Sequence, residues 1–551
     1  MSKPDHIKIW KKYDSGLKFN NSINLLDNVE TNENFYIGKQ WEGVKSNGLP
    51  TPVFNFLKQI VQHQVASITS DNIKMNASPL AASANDEELE KMTQIVNDEF
   101  AALFERNRVT TILREYARNA AVDGDGCLYS YWDDDKETVV TEVLENTRVF
   151  FGNPNDKDVQ SQPYIIIARR AMKDDIEDYA EEHGCKDMEA IQSDTDDNQS
   201  RMDALVDDKI TVLMYLWRDK DSGSIHAIEC VKGTVIREEW DLGIRLYPIT
   251  WLNWDYVQDC YHGQALITGL IPNQQFVNKA YAMAMVSLMM SAFPKIVYDR
   301  NRVEKWTNQV GAQIGVNGDV TGIANVLEPA QISPQVAQFI SSAIEHTQSF
   351  TGATAAALGN TRPDNTSAII ALQRAASIPS EITKQNLYQS VEELGRIYVE
   401  FMAFYYGKRT VDVPAEAVVP AEMLQFAMVP QTQKMQVEFD FAKLKDVPMF
   451  LKLDVGASAY WSEIASMQTL DNLLQLGQID IVDYLERIPD GYISKRQELL
   501  AKYKQRMSAM QMQTPAVGNA EGDITDTGQE MPVEGGAGNR QLQRAVVNPA
   551  V

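Results

Sequence analysis

Cysteine is scarce in this chain, four residues in 551. Cys127, Cys185, Cys230 and Cys260 lie far apart and form no C-x-x-C pair. That excludes a zinc knuckle or a thioredoxin-type redox motif and leaves free thiols suited to a reducing compartment. Positive charge is also short: 51 Lys and Arg stand against 76 Asp and Glu, a formal net charge of -25. A protein that grips nucleic acid through its phosphates needs a basic surface, so tight or sequence-reading DNA binding is excluded. Passage of DNA without adhesion is not. No G-x-x-x-x-G-K-[ST] loop is present, and "GVNGDVTG" lacks the lysine and has no hydroxyl in the required place, which argues against a nucleotide-driven motor. H-E-x-x-H and G-x-S-x-G are missing too, and the six histidines (His6, His63, His183, His226, His262, His346) are scattered. No catalytic residue, metal site or cofactor is expected.

Long apolar runs are likewise lacking. "AYAMAMVSLMMSAF" (280–293) is about 14 residues, where a bilayer needs ~20, so it reads as a buried helix. The start, MSKPDHIKIWKKYDSG, has basic residues but no apolar core and is not read as a signal peptide. Two acidic motifs invite a metal reading. Asp123-Gly124-Asp125-Gly126 faintly resembles a calcium loop, but the twelfth position, which must be glutamate, holds Asp134, so a turn is expected. Asp133-Asp134-Asp135-Lys136 sits between two β-rich runs and reads as a solvated hairpin turn.

What is present is an ordinary folded composition, 44% hydrophobic and 23% charged, in a chain too long for one core. Two to four units and an α+β class are expected. "NFYIGKQWEGV" and "TPVFNFLKQIVQHQVASIT" show helical spacing, with Pro52 suited to a first turn. A charged helical run spans 86–121. "GCLYSYWDDDKETVVTEVL" reads as a hairpin, and "PYIIIARRA", "KITVLMYLWRD", "SIHAIECVKGTVIREEW" and "LYPITWLNWDYV" read as strands. The acidic stretch 173–208 should be helix and mobile loop, with self-repulsion opposing burial.

From His262 the pattern changes. Pro272 opens a helix that Pro294 stops, about 30 Å long. Its partner begins with Ser333 as N-cap and Pro334 at the first position. It carries an apolar stripe of Val336, Phe339, Ile340, Ala343, Ile344 and Phe350, and stops at Gly352. Between them "KIVYD" reads as strand, "NRVEKWTNQVG" as a short helix, and "AQIGV" and "IANVLEP" as strands. "FTGATAAALGNTRPDNTS" (350–367) is a small-sided loop in which Gly359 and Asn360 allow positive φ. Asn365 or Thr366 then caps a helix running to Gly407, kinked by Pro379. "VEFDF" and "FLKLDVG" are strands, a helical block follows from Trp461 to about Met512, and the tail from Gln513 should be disordered.

The order of these blocks resembles the portal proteins of tailed bacteriophages. "NFYIGKQWEGV" with "LPTPVFNFLKQIVQHQVASI" is similar to the start of their wing. "YHGQALITGLIPNQQFVNKAYAMAMVSLMMSAFPKIVYD" is similar to a helix descending the stem into the clip. "SFTGATAAALGNTRPDNTSAIIALQRA" resembles the returning stem helix, tunnel loop and kinked helix. "LKLDVGASAYWSEIASMQTLDNLLQLGQIDIVDYLERIPDG" resembles the return to wing and crown. The resemblance implies a ring-forming portal-type α+β fold. Its parts would be wing (1–261 and 408–456), stem helices (262–293 and 334–352), small α/β clip (294–333), tunnel loop (353–366), kinked helix (367–407), helical crown (457–512) and disordered tail (513–551).

It further implies a dodecameric homo-oligomer at the portal vertex of a virion, assembled in the host cytoplasm, through which double-stranded DNA enters and leaves. Its partners would be the terminase large subunit, head–tail adaptor proteins, and the major capsid and scaffolding proteins, with no membrane. Candidate tunnel-loop residues are Ala353, Ala356, Gly359, Asn360, Arg362 and Asn365. Arg300, Arg302, Lys305, Trp306 and Val310 are candidates for partner binding on the clip. Val336, Phe339, Ile340 and Ile344 are candidates for the subunit seam. Two other readings stay open: a capsid-vertex or scaffold protein without a channel, and a nuclease or packaging ATPase, against which the missing phosphate loop counts.

Overall fold

Strands close in sequence pair antiparallel with one another, as short connections allow, and helices cover the resulting faces. The protein is described from a computed structural model covering residues 5–71, 73–79, 87–195, 208–293, 295–307, 309, 311–327, 335–353, 378–414, 434–446, 449–455, 460–476, 478–488, 499–500 and 502–503. Three helices come first, α1 (His6–Ser22), α2 (Leu25–Ile37) and α3 (Phe56–Ile68), then strand β1 (Ile73–Pro79) and helices α4 (Glu87–Arg106) and α5 (Val109–Asp123). The expected hairpin follows as β2 (Asp125–Asp133) and β3 (Thr138–Leu144), then β4 (Val149–Phe151), β5 (Ile165–Met172) and α6 (Lys173–Glu182). Next are β6 (Lys209–Arg218), β7 (Ile225–Cys230), β8 (Val235–Asp241) and β9 (Ile249–Asn253). Helix α7 (Ile271–Ala292), strands β10 (Lys295–Tyr298) and β11 (Ala324–Leu327), and helix α8 (Gln335–Phe350) form the block that changed pattern. Helix α9 (Glu381–Tyr405) and strands β12 (Lys408–Pro414), β13 (Lys434–Asp440) and β14 (Met449–Val455) complete the first of two compact units, Met1–Glu463. The second unit, Ile464–Val551, holds most of α10 (Tyr460–Gln475) and all of α11 (Ile481–Arg487), where Tyr484 donates to Asp471 and Leu485 is buried.

Strands β4-β5-β6-β7-β8 make one sheet and β3-β2-β9 another; β1–β14, β10–β11 and β12–β13 are two-stranded. Helix α9 is the centre of the main core. Leu387, Val391, Leu394, Tyr398 and Phe401 recur at helical spacing and are all buried, each worth about 1.5–3 kcal/mol on leaving water. Tyr398 shares a 2.7 Å hydrogen bond with Thr141 on β3. Alanines 117, 120 and 121 thin one face of α5 so that it lies close over β2. The approach is tight at Gly126, where a Cβ would stand 2.7 Å from the Tyr116 carbonyl oxygen.

Several expectations are corrected. "NFYIGKQWEGV" is helical only to Ile37, because Gly38 takes φ 96° and ends α2. Pro52 lies ahead of α3, whose cap is Asn55, accepting from the Lys58 N–H at 3.2 Å. The 86–121 run is two helices, broken where Arg108 takes φ 50°. In the acidic stretch, Ile176, Ala180 and Ile191 pack with Ile210, Val212, Val231 and Ile236; the charge occupies the other side of an amphipathic helix, so repulsion does not prevent burial. "NRVEKWTNQVG" and "AQIGV" form neither helix nor strand among the described residues. Pro379 lies in a short 3-10 turn, Ile378–Ser380, directly before α9, and the part of the expected kinked helix ahead of it lies outside the described residues. Gly407 does stop the chain's helical course, at φ 59°. The caps expected at Ser333 and Asn365 or Thr366, the 354–366 loop and the tail from Gln513 lie outside the described residues.

Asp125 is not a solvated turn residue. It is wholly buried at the start of β2 and accepts from Asn253 Nδ2 and Gly263 N, each at 2.7 Å, and from Asn146 Nδ2 at 3.3 Å. His262, 2% exposed, places Nδ1 2.7 Å from the same carboxylate. This pairing pins residues 262–270, the lead-in to α7, against the β2–β9 sheet. Beside it, burial pushes the Asp123 carboxyl up to about 7; Arg118 opposes this, and the Glu33, Glu145 and Asp125 carboxylates reinforce it.

Two measurements check this packing. Gly126→Ala should lower stability by about 1–3 kcal/mol, since the obstructing atom is backbone and cannot step aside; an unchanged denaturant midpoint would refute the close approach. Asp123 holds its proton more tightly folded than unfolded, so its contribution is intact below its ordinary pKa and is lost as pH rises from about 4 to about 7. Asp123→Asn should therefore raise the melting temperature at pH 8 and leave it unchanged near pH 4. Equal shifts at both values would contradict the assignment.

Candidate connector site

Helix α7 leaves the body through a knot of neutral amides. Gln274 and Asn278 are four residues apart and therefore share one face, and both are buried, at 0% and 2% exposed. Gln274 Nε2 donates to Asn278 Oδ1 at 2.9 Å and to the Phe54 carbonyl at 2.8 Å. Asn278 Nδ2 donates to Gln40 Oε1 at 2.6 Å, and Gln40 in turn donates to the Phe35 carbonyl. The Phe54 ring stacks on Tyr281 with centroids 4.0 Å apart. Helix α8 is tied at the same end: Asn273 Nδ2 donates to Thr347 Oγ1 at 3.0 Å, and Gln64 on α3 donates to the Thr351 carbonyl. A buried amide left unpartnered costs roughly 1–3 kcal/mol, so these bonds set where both helices emerge. In the sequence the knot shows only as two amides at helical spacing among other polar residues, Asn273, Gln275 and Lys279, which nothing singles out.

Beyond the knot α7 carries no charged residue. Met283, Met285, Leu288, Met289, Met290 and Phe293 are all exposed, Leu288 at 71% and Phe293 at 81%. At 100° per residue, positions 283, 285, 288, 289 and 290 spread over more than half of the helix circumference, and Ser287 and Ser291 lie on the remaining side. An apolar stripe that broad is wider than a single packed face requires. Among the described residues no helix is long and apolar enough to cross a membrane. The α7–β10 junction thus presents apolar surface that its own protomer does not cover.

The structure places the candidate residues unevenly. Ile340 is 5% exposed, and Val336, Ala343 and Ile344 pack half-buried on the same core. Part of the α8 stripe thus packs on the protomer's own core. Phe339, 66% exposed, faces away from that core. Ala353 is fully buried and so does not line a loop surface; Ala356, Gly359, Asn360, Arg362 and Asn365 lie outside the described residues. On the insert, β10 and β11 pair antiparallel, Lys295 opposite Leu327. Arg300 and Lys305 are exposed. Arg302 lies 3.5 Å from Asp299 and donates to the Thr321 carbonyl at 3.3 Å. Trp306 is half-buried, stacked on Tyr298 at 5.5 Å, and Val310 is outside the described residues. Among the described residues no group of three or more His, Cys, Asp or Glu could hold a metal.

Residues 228–446 match the family model of the phage P22-like portal protein. No curated protein matches the chain. One solved structure that matches, "Neck of empty GTA particle computed with C6 symmetry", is 10% identical over 80% of this chain and 88% of that one, with a TM-score of 0.35, values too low to establish a shared fold. The matched residues run from β7 through α7, the β10–β11 insert and α8 to the turn after β13, and over this stretch, less than half of its length, the chain is similar to phage P22-like portal proteins.

Proposed function

We propose that the protein is the portal of a phage head, a ring of identical subunits with a DNA channel on its axis. The observation that carries this reading is the uncovered, broadly apolar and uncharged end of α7, which other copies of the chain would cover. On this reading α7 and α8 are the stem, residues 295–327 the clip, and the sheets with α1–α6 and α9 the wing. Twelve copies, with the 354–366 loop reaching the bore, follow the family pattern. A net charge of -25 suits a conduit that must pass DNA inward and later outward without holding it. The terminase large subunit would dock on the clip during packaging, and head–tail adaptors afterwards. The role is structural rather than catalytic. A capsid-vertex protein without a channel is the competing reading, and a central hole in negative-stain images of the assembly separates the two.

Leu288→Glu and Phe339→Asp test the seam. Both side chains are exposed in the protomer, so each variant should fold with an unchanged circular dichroism melt. In the assembly each charge would be buried without a partner, at a cost of several kcal/mol. Light scattering should then report monomers or small oligomers. Intact rings from both variants would contradict the proposal.

A further inference from the structure

Helix α9, strand β9 and the 157–159 turn line a half-open cavity of about 210 Å³. That is small beside the ~300–1,000 Å³ of small-molecule sites, and it has room for one long side chain. Asn386, Gln389 and Glu393 line it from α9; their spacing of three and four residues puts them on one face. Trp251 and Tyr256 supply aromatic walls, and Asp158 stands on the opposite side. Glu393 is half-buried, yet among the described residues it makes no hydrogen bond and no contact ion pair. Burial pushes its carboxyl up; Arg396 on the same helix opposes the shift, and the Asp158 charge adds to it. Asn386 and Gln389 are exposed and also carry no hydrogen bond among the described residues. The one cation on the lining, Lys157, is turned to the Tyr256 ring, 4.6 Å from its centroid.

A half-buried carboxylate that faces an open cavity with no protein donor is left to water or to an incoming donor. The missing group must be cationic, to answer Glu393 and Asp158 together. It should be flat, to lie against Trp251 or Tyr256. Several donors suit it, since the Glu393 and Asp158 carboxylates and the Asn386 and Gln389 amides all line the cavity, with one Asp158 oxygen already accepting from the Gln160 N–H at 3.0 Å. A guanidinium meets all three conditions: five N–H donors in a rigid plane, weak hydration and a stacking face. An ammonium offers three donors on a strongly hydrated point charge and meets only the first.

We propose that this cavity is a docking site for an arginine side chain presented by a partner polypeptide. Glu393 and Asp158 receive the guanidinium, Trp251 and Tyr256 flank its plane, and Asn386 and Gln389 accept its outer N–H groups. The site is independent of the stem seam and needs no particular subunit number.

The test is calorimetric titration of the full-length protein with N-acetyl-arginine amide, alongside the neutral isostere N-acetyl-citrulline amide and N-acetyl-lysine amide. The expected result is saturable binding of the arginine compound at one site per protomer, at least tenfold weaker binding of the lysine compound, and none of citrulline. Glu393→Gln, checked for an unchanged melt, should weaken arginine binding at least tenfold. Tyr256→Ala, at a side chain 60% exposed and so harmless to the fold, should weaken it severalfold. No saturable binding by the wild type, equal binding of citrulline or lysine, or undiminished binding by Glu393→Gln would overturn the proposal.

Discussion

The amide knot of Gln40, Gln274 and Asn278 is the constraint on which the projecting part of the protein depends. It fixes the root of α7 to the segment that precedes α3, with every bond neutral and shielded from water. Charged partners there would carry the desolvation cost of a buried ion pair and would respond to salt. Amides give direction without either liability. The Asp125–His262 pairing does the same for residues 262–270 just before the helix. Together they hold α7 at a set angle, so that its apolar half stands clear of the protomer rather than folding back on the core.

That geometry separates two kinds of apolar surface. Ile340, Val336 and Ile344 on α8 serve the protomer's own core, whereas Leu288, Phe293 and Phe339 do not. The first group stabilises the single chain; the second, on the proposed reading, stabilises the ring. A chain with net charge -25 would repel copies of itself at long range. Close contact therefore has to come from short-range burial, and uncharged helices are where such burial is least opposed.

Much of the architecture was legible because period and punctuation agreed. The β2–β3 hairpin, β5, β6, β7 and α7 follow from alternating or helical spacing bounded by turn residues. The α8 stop at Gly352 follows from its need for a left-handed backbone, here φ 71°. What sequence missed was decided by tertiary partners. A polar motif such as Asp123-Gly124-Asp125-Gly126 looks solvated unless one knows that Asn253, Asn146 and His262 converge on it from distant positions. Likewise, Val336 and Phe339 have the same character in the chain, and only the position of the body tells which is covered.

The central claim is that α7 and α8 end in surface that only other copies of this chain cover. Native mass spectrometry of the purified full-length protein tests it most directly. The account predicts a closed assembly of one discrete subunit number, twelve on the proposed reading, with no dimer or open series. A stable monomer at micromolar concentration would contradict it.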